Sequence, residues 1–158
     1  MRAFAALLLV LSVAGIEPAA ATNYPEAESF EASADAAKQV DDALTQAKAS
    51  GKKVLLVMGA NWCHDSRALA GWLETPRLAE LVAQKYELVL VDVGMPQTGD
   101  GQNLDIAERF GIEIEGTPAV LILSPEGELL NRSKAKKWRN AASRSENDIY
   151  KELAKAAG

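Results

Sequence analysis

Val54-Leu-Leu-Val-Met-Gly-Ala-Asn-Trp-Cys-His-Asp-Ser-Arg-Ala-Leu-Ala-Gly-Trp-Leu73 is the stretch on which the reading of this chain turns. It opens as an unbroken apolar run, Val54 to Met58, too short for a helix and rich in β-forming residues, which predicts a buried strand of an α/β sheet. Gly59 and Asn61 interrupt the run. Apolar residues return at Ala68, Leu69, Trp72 and Leu73, the spacing of one helical face. Between strand and helix lies Trp62-Cys63-His64-Asp65-Ser66, which holds the only cysteine and the only histidine of the chain. A cysteine at a helix start faces unpaired backbone N–H groups and the positive end of the macrodipole, and both favour thiolate over thiol. A lone cysteine is otherwise most often a small buried hydrophobe. The strand–turn–helix placement and the tryptophan before it tip this one towards chemistry.

At 158 residues the chain has the length of one domain, with room for a substantial core. Its 48% hydrophobic and 25% charged residues are an ordinary soluble profile, and a net charge of −5 supplies no basic field for nucleic acid. Residues 1–21 read as a secretory signal peptide. Arg2 is a minimal positive region, Ala3 to Ile16 is almost wholly apolar, and Ala19-Ala20-Ala21 follows Pro18 as a small-x-small cleavage site. The run is too short to span a bilayer comfortably, so the expected product is exported, periplasmic or secreted, with no stable membrane insertion after cleavage. Exported proteins usually carry disulfides. A single cysteine cannot form one internally, so its thiol is either buried or open to intermolecular exchange.

Residues 22–32, acidic and containing Pro25, read as a linker, and residues 33–158 as the domain. Ala36, Val40, Ala43, Leu44 and Ala47 mark an amphipathic helix ended by Gly51. After the strand and helix of the opening stretch, Thr75-Pro76 predicts a helix restart with Thr as cap and Pro at the first helical position. Leu88 to Val93 is a second strand, Gly94 to Gly101 a loop, and Asn103 to Phe110 a helix stopped by Gly111. Ala119 to Leu123 is a third strand, turned by Ser124-Pro125-Glu126-Gly127 into a short returning strand, Glu128 to Asn131. Ser143-Arg-Ser-Glu146 has the capping-box pattern ahead of a last helix through Ile149, Leu153 and Ala156. The order is α-β-α-α-β-α-β-β-α, without repeats.

A strand, Trp-Cys-x-x-Ser at a helix start, then a strand, a helix and Gly116-Thr117-Pro118 before a hairpin together resemble the thioredoxin superfamily. Within it the chain looks most like the exported bacterial thioredoxin-like proteins, over roughly Lys52 to Asn131. The resemblance implies an α/β, thioredoxin-like fold: a central mixed sheet flanked by helices, here with an extra N-terminal helix. It implies Cys63 as attacking thiol and Pro118 as a cis loop proline, an isomer that backbone energetics tolerates only before proline. In the family that loop packs beside the cysteine and offers backbone groups to an extended substrate, so Trp62, Thr117 and Pro118 become the substrate-binding residues.

Three departures matter. Ser66 stands where the family's resolving cysteine would be, Val57 stands where many members carry a buried acid, and Met95 to Asn103 is longer than the usual connection. Ser66, three residues beyond Cys63, shares its helix face, where a hydroxyl can hydrogen-bond a thiolate but cannot attack a disulfide. His64 can favour the thiolate as imidazolium or accept its proton as a neutral base, and a solvent-exposed histidine without a role is the alternative. Asp65 complements the helix dipole. The basic stretch Arg132, Lys134, Lys136, Lys137 and Arg139 reads equally as an anionic-ligand patch or a solvated loop. No metal site is expected, because the adjacent Cys63 and His64 cannot close a coordination sphere.

Two functions stay open. One is monothiol thiol–disulfide exchange in the cell envelope, with Cys63, His64 and Ser66 as the catalytic residues. It needs no cofactor beyond glutathione or another small thiol as co-substrate, and its partners are disulfide- or thiol-containing proteins and a membrane thiol reductase. The other is a redox-inactive thioredoxin-fold binding module that uses the groove beside Trp62 and Pro118.

Overall fold

A computed structural model describes residues 24–32 and 34–158; the expected signal peptide lies outside the described residues. The strand of the opening stretch is β1 (Lys53–Gly59), buried from Val54 onward. It is the middle of a three-stranded sheet, parallel to β2 (Tyr86–Asp92) on one side and antiparallel to β5 (Ala119–Leu123) on the other. A strand covered on both faces has no polar side to offer, which is why its sequence is an apolar run rather than an alternation.

Each face has its own core. Val54, Leu56 and Met58 pack with Val89, Val91, Leu121 and Leu123 against Val40, Ala43 and Ala47 of α1 (Ala36–Ser50). Leu55 and Val57 face the other way, towards Leu69 and Leu73 of α2 (His64–Glu74), Leu78 and Val82 of α3 (Pro76–Lys85), and Ile149 and Leu153 of α5 (Glu146–Ala157). Helices on both faces of a mixed sheet are the thioredoxin-like arrangement that the sequence implied. Helix α1 is capped by Asp35, which accepts the Lys38 N–H at 3.0 Å. It ends at Gly51, whose φ of 75° is the left-handed turn that glycine adopts without a Cβ penalty.

Several local expectations change. Residues 24–32 form no helix or strand, yet they are no free linker: Phe30 is 2% exposed and the segment lies as a strap over α2. Gly71 permits the crossing, since a Cβ there would stand 2.6 Å from the Pro25 carbonyl carbon. The expected loop at Gly94 to Gly101 is a small ribbon, β3 (Gly94–Met95) against β4 (Asp100–Gly101), closed by a single 3-10 turn. The helix after it, α4 (Leu104–Glu108), is shorter than predicted. The returning strand shrinks to one bridge, Leu123 with Leu129, because Asn131 takes over the ladder: its side chain accepts the Ile122 N–H and donates to the Val120 carbonyl, each at 2.9 Å.

Two caps also move. Thr75 precedes Pro76 as predicted, but its hydroxyl does not cap α3; it lies 2.8 Å from the Trp72 carbonyl and 2.6 Å from Glu146 Oε1. The capping box of α5 pairs Ser145 with Asp148, two residues beyond the predicted Ser143 and Glu146. Asp at the third position does the work that the pattern assigns to Glu. Among the described residues no helix is long and apolar enough to cross a membrane.

Candidate active site

Cys63 is the N-cap of α2, with φ −88° and ψ 118°, so the chain turns from extended to helical at the thiol itself. Its backbone is fixed on both sides: Cys63 N–H donates to the Ala60 carbonyl at 3.1 Å, and Arg67 N–H donates to the Cys63 carbonyl at 3.0 Å. The side chain is 8% exposed, just below the surface, with Sγ 3.5 Å from the Thr117 carbonyl oxygen. The topology makes this contact, because β5 runs beside β1 and its entry loop meets the exit of β1. The Thr117–Pro118 peptide bond is cis. Cys63 and the Thr117–Pro118 pair, which lie far apart in sequence, are therefore brought to one place.

Ser66 lies one helical turn on and is fully buried, but its hydroxyl has no hydrogen-bond partner, Cys63 Sγ included. Ser66 Oγ faces the end of β1, where a Cβ on Gly59 would lie 3.0 Å from it. Thr117 Oγ1 is likewise buried and unpartnered. Two orphan hydroxyls flanking one thiol are unusual, since such atoms normally find partners. Val57 is wholly buried between Leu90 and Val120, so no titratable group lies under the thiol at that position.

His64 is exposed, and its Nε2 turns to Asp65 Oδ2 at 3.2 Å rather than to the thiol. Asp65 does more than complement the helix dipole. It is 8% exposed, and its Oδ1 accepts the Ala142 N–H at 2.8 Å, fastening the start of α2 to the segment before α5. Trp62 is 45% exposed beside the thiol, and its Nε1 donates to the Gly94 carbonyl at 2.8 Å. The ribbon thus holds the indole in place.

Residues that sequence reading passed over supply the framework. Asn61, read only as a strand breaker, accepts the Phe30 N–H at 3.1 Å and donates to the Phe30 carbonyl at 2.9 Å, as a paired strand residue would. Arg67 donates to the Asn61 carbonyl at 2.8 Å and pairs with Glu26 at 3.2 Å. Asp92, at the end of β2, gathers the ribbon by accepting from Gly94 N–H and Gln102 Nε2, each at 2.7 Å. The signal was present in all three cases: polar residues at element ends, where backbone groups need partners.

The basic stretch is exposed at Arg132, Lys134, Lys137 and Arg139, yet it is docked at several points. Arg132 donates to the carbonyls of Gly111 and Phe110 at 2.7 and 3.1 Å, and Lys136 pairs with Glu115 at 3.4 Å. Trp138 within it is 1% exposed and belongs to the core. Among the described residues, no three of His, Cys, Asp and Glu gather as metal ligands.

The family model described as thioredoxin-like matches residues 35–125. Among solved structures, the crystal structure of a disulphide isomerase from Xylella fastidiosa Temecula1 is similar, with a TM-score of 0.74 and 36% sequence identity, over 87% of this chain and 100% of that one. No curated protein matches the chain.

Proposed function

We propose, since this chain belongs to the thioredoxin-like family, that it exchanges thiols and disulfides through Cys63 alone. The observation that carries the reading is the placement of Sγ at the start of α2, 3.5 Å from the carbonyl of Thr117 in the loop that enters β5. The similar structure from Xylella fastidiosa, that of a disulphide isomerase, supports the same chemistry. The Cys63 thiolate attacks one sulfur of a substrate disulfide. A mixed disulfide forms, and the other sulfur leaves as a thiolate. The chain has no second cysteine to resolve that adduct. Release by a further thiol of the substrate amounts to isomerisation; glutathione or another small thiol frees Cys63 by taking the substrate sulfur into a new mixed disulfide, and a second small thiol completes the reduction. Trp62, Thr117 and Pro118 line the approach, and a membrane thiol reductase is the further partner class.

The compartment proposed is the cell envelope, resting on the signal-peptide pattern of residues 1–21. N-terminal sequencing of the exported protein should begin at Thr22. The central test is trapping. Wild-type protein incubated with disulfide-bonded substrate should run as mixed disulfides on non-reducing gels and be freed by added thiol, while Cys63→Ser traps nothing. The shallow burial of Cys63 favours a second reading, the redox-inactive binding module. Absence of any adduct, together with retained peptide binding, would establish that module and end the exchange reading.

A further inference from the structure

We propose that Arg139 is a carboxylate-binding residue of this site, and that the small thiol which releases Cys63 carries a carboxylate. The inference rests on the exchange reading above and names the class of co-substrate.

Among the described arginines, five have partners. Arg67, Arg109 and Arg144 pair with carboxylates, Arg132 with carbonyls, and Arg77 with an amide and the ring of Tyr150. Arg139 alone has no acceptor and no ring, and it is exposed. It is nevertheless not loose. Its guanidinium covers Gly116: the point a Cβ would occupy there lies 3.0 Å from Cζ, 3.2 Å from Nη1 and 3.3 Å from Nε. Three such similar distances describe a planar group presented face-on. Gly116, by lacking a side chain, provides its seat.

The backbone beneath is anchored as well. Trp138 is buried, Ala141 N–H donates to the Trp138 carbonyl at 3.1 Å, and Ala135 offers its carbonyl to Val120 N–H at 2.9 Å. A guanidinium held in this way loses little freedom on binding, and its fork of N–H groups matches a carboxylate. The nearby Glu115 carboxylate is drawn to Lys136. In a chain of net charge −5, an uncompensated cation here is a local exception to the overall field.

Its position ties it to the thiol. Gly116 precedes Thr117, whose carbonyl touches Cys63 Sγ. Standard bond lengths then place the guanidinium within about 14 Å of the sulfur at most. A thiol two or three residues long, poised at the mixed disulfide, covers that reach. Its thiolate attacks the substrate sulfur, a new disulfide forms between thiol and substrate, and Cys63 Sγ leaves with the electron pair. One S–S bond replaces another, with no external oxidant or reductant.

The test uses a preformed mixed disulfide between Cys63 and an end-blocked cysteine peptide, with release followed by mass spectrometry. It compares glutathione with its diethyl ester, each normalised to its rate with a small free disulfide. Wild type should favour the free acid by about three- to fivefold, the scale of an exposed ion pair, and less so at high salt. Arg139→Gln should bring the ratio to about one, and Arg139→Lys should restore part of it. Gly116→Ala, which fills the seat of the guanidinium, should lower the ratio too. An unchanged ratio in Arg139→Gln, or equal slowing of both thiols, overturns the inference while leaving exchange intact. Failure of Cys63 to form the adduct removes the exchange reading itself and this inference with it.

Discussion

Residues 24–32 and residues 132–144 both cross the molecule largely without regular structure, and both grip the turn that carries Cys63, by opposite means. The N-terminal strap is held by polar side chains at the site: Asn61 in a two-way bond with the Phe30 backbone, the Arg67 carbonyl accepting the Ala27 N–H, and Arg67 reaching Glu26. Only Phe30 is deeply buried in it. The later segment is held by its interior. Trp138 packs in one core with Leu55, Val57, Leu69 and Leu153, and one polar tie, Asp65 to Ala142, joins the segment to α2. An irregular segment must satisfy its backbone somewhere. One that does so at the thiol can loosen without unfolding the domain, and one that does so through the core cannot.

Removing the interior anchor breaks the comparison hardest. Trp138→Ala should cost about 3–5 kcal/mol, the range for deleting a buried aromatic, read as a fall in the urea midpoint. Its indole N–H is unpartnered, so Trp138→Phe should cost distinctly less. Phe30→Ala is the matching change in the strap and should cost about 3 kcal/mol, the lower end of that range, since the strap can settle into the space. Should the two alanine variants prove equal, or their order reverse, the strap is core and the distinction fails.

These two segments also show how far the sequence was legible. β1 and α2 follow from Val54 to Leu73 because burial on two faces and helical spacing are properties of composition along a line. The strap and the ribbon are held by single long-range bonds, such as Asn61 to Phe30 and Trp62 to Gly94, and a line carries no sign of which distant backbone group needs a partner. The juxtaposition of Cys63 with Thr117 was accessible only through the family likeness. The orphan hydroxyls of Ser66 and Thr117 and the seat of Arg139 on Gly116 were legible in no motif, because they arise from how three elements meet.

A smaller effect probes the polar side of the comparison. Asn61→Ala removes two hydrogen bonds to Phe30 and should cost about 1–3 kcal/mol. Its diagnostic consequence is local. Cleavage within residues 24–32 by a dilute protease and alkylation of Cys63 should both speed up while the cooperative unfolding of the rest survives. Unchanged alkylation would mean that the strap does not control access to the thiol.

The smallest effect sharpens the one polar tie between the other segment and α2. Asp65 combines two functions, an acceptor for Ala142 N–H and a negative charge in the first turn of α2. Asp65→Asn keeps an oxygen for Ala142 and discards the charge. The stability lost is then the favourable meeting of that charge with the helix dipole, together with its contact to the exposed His64, each worth up to about 1 kcal/mol. The same substitution removes an anion two residues from a sulfur that must become a thiolate, so alkylation of Cys63 at neutral pH should quicken. Asp65→Ala discards both functions and leaves the Ala142 N–H unpaired, which should cost about 1 kcal/mol more, the lower end of the orphan penalty. Both variants should therefore react faster at Cys63, and only the alanine should unfold measurably earlier. If the asparagine and alanine variants are equally stable, the bond to Ala142 contributes nothing and the later segment meets α2 through its core packing alone.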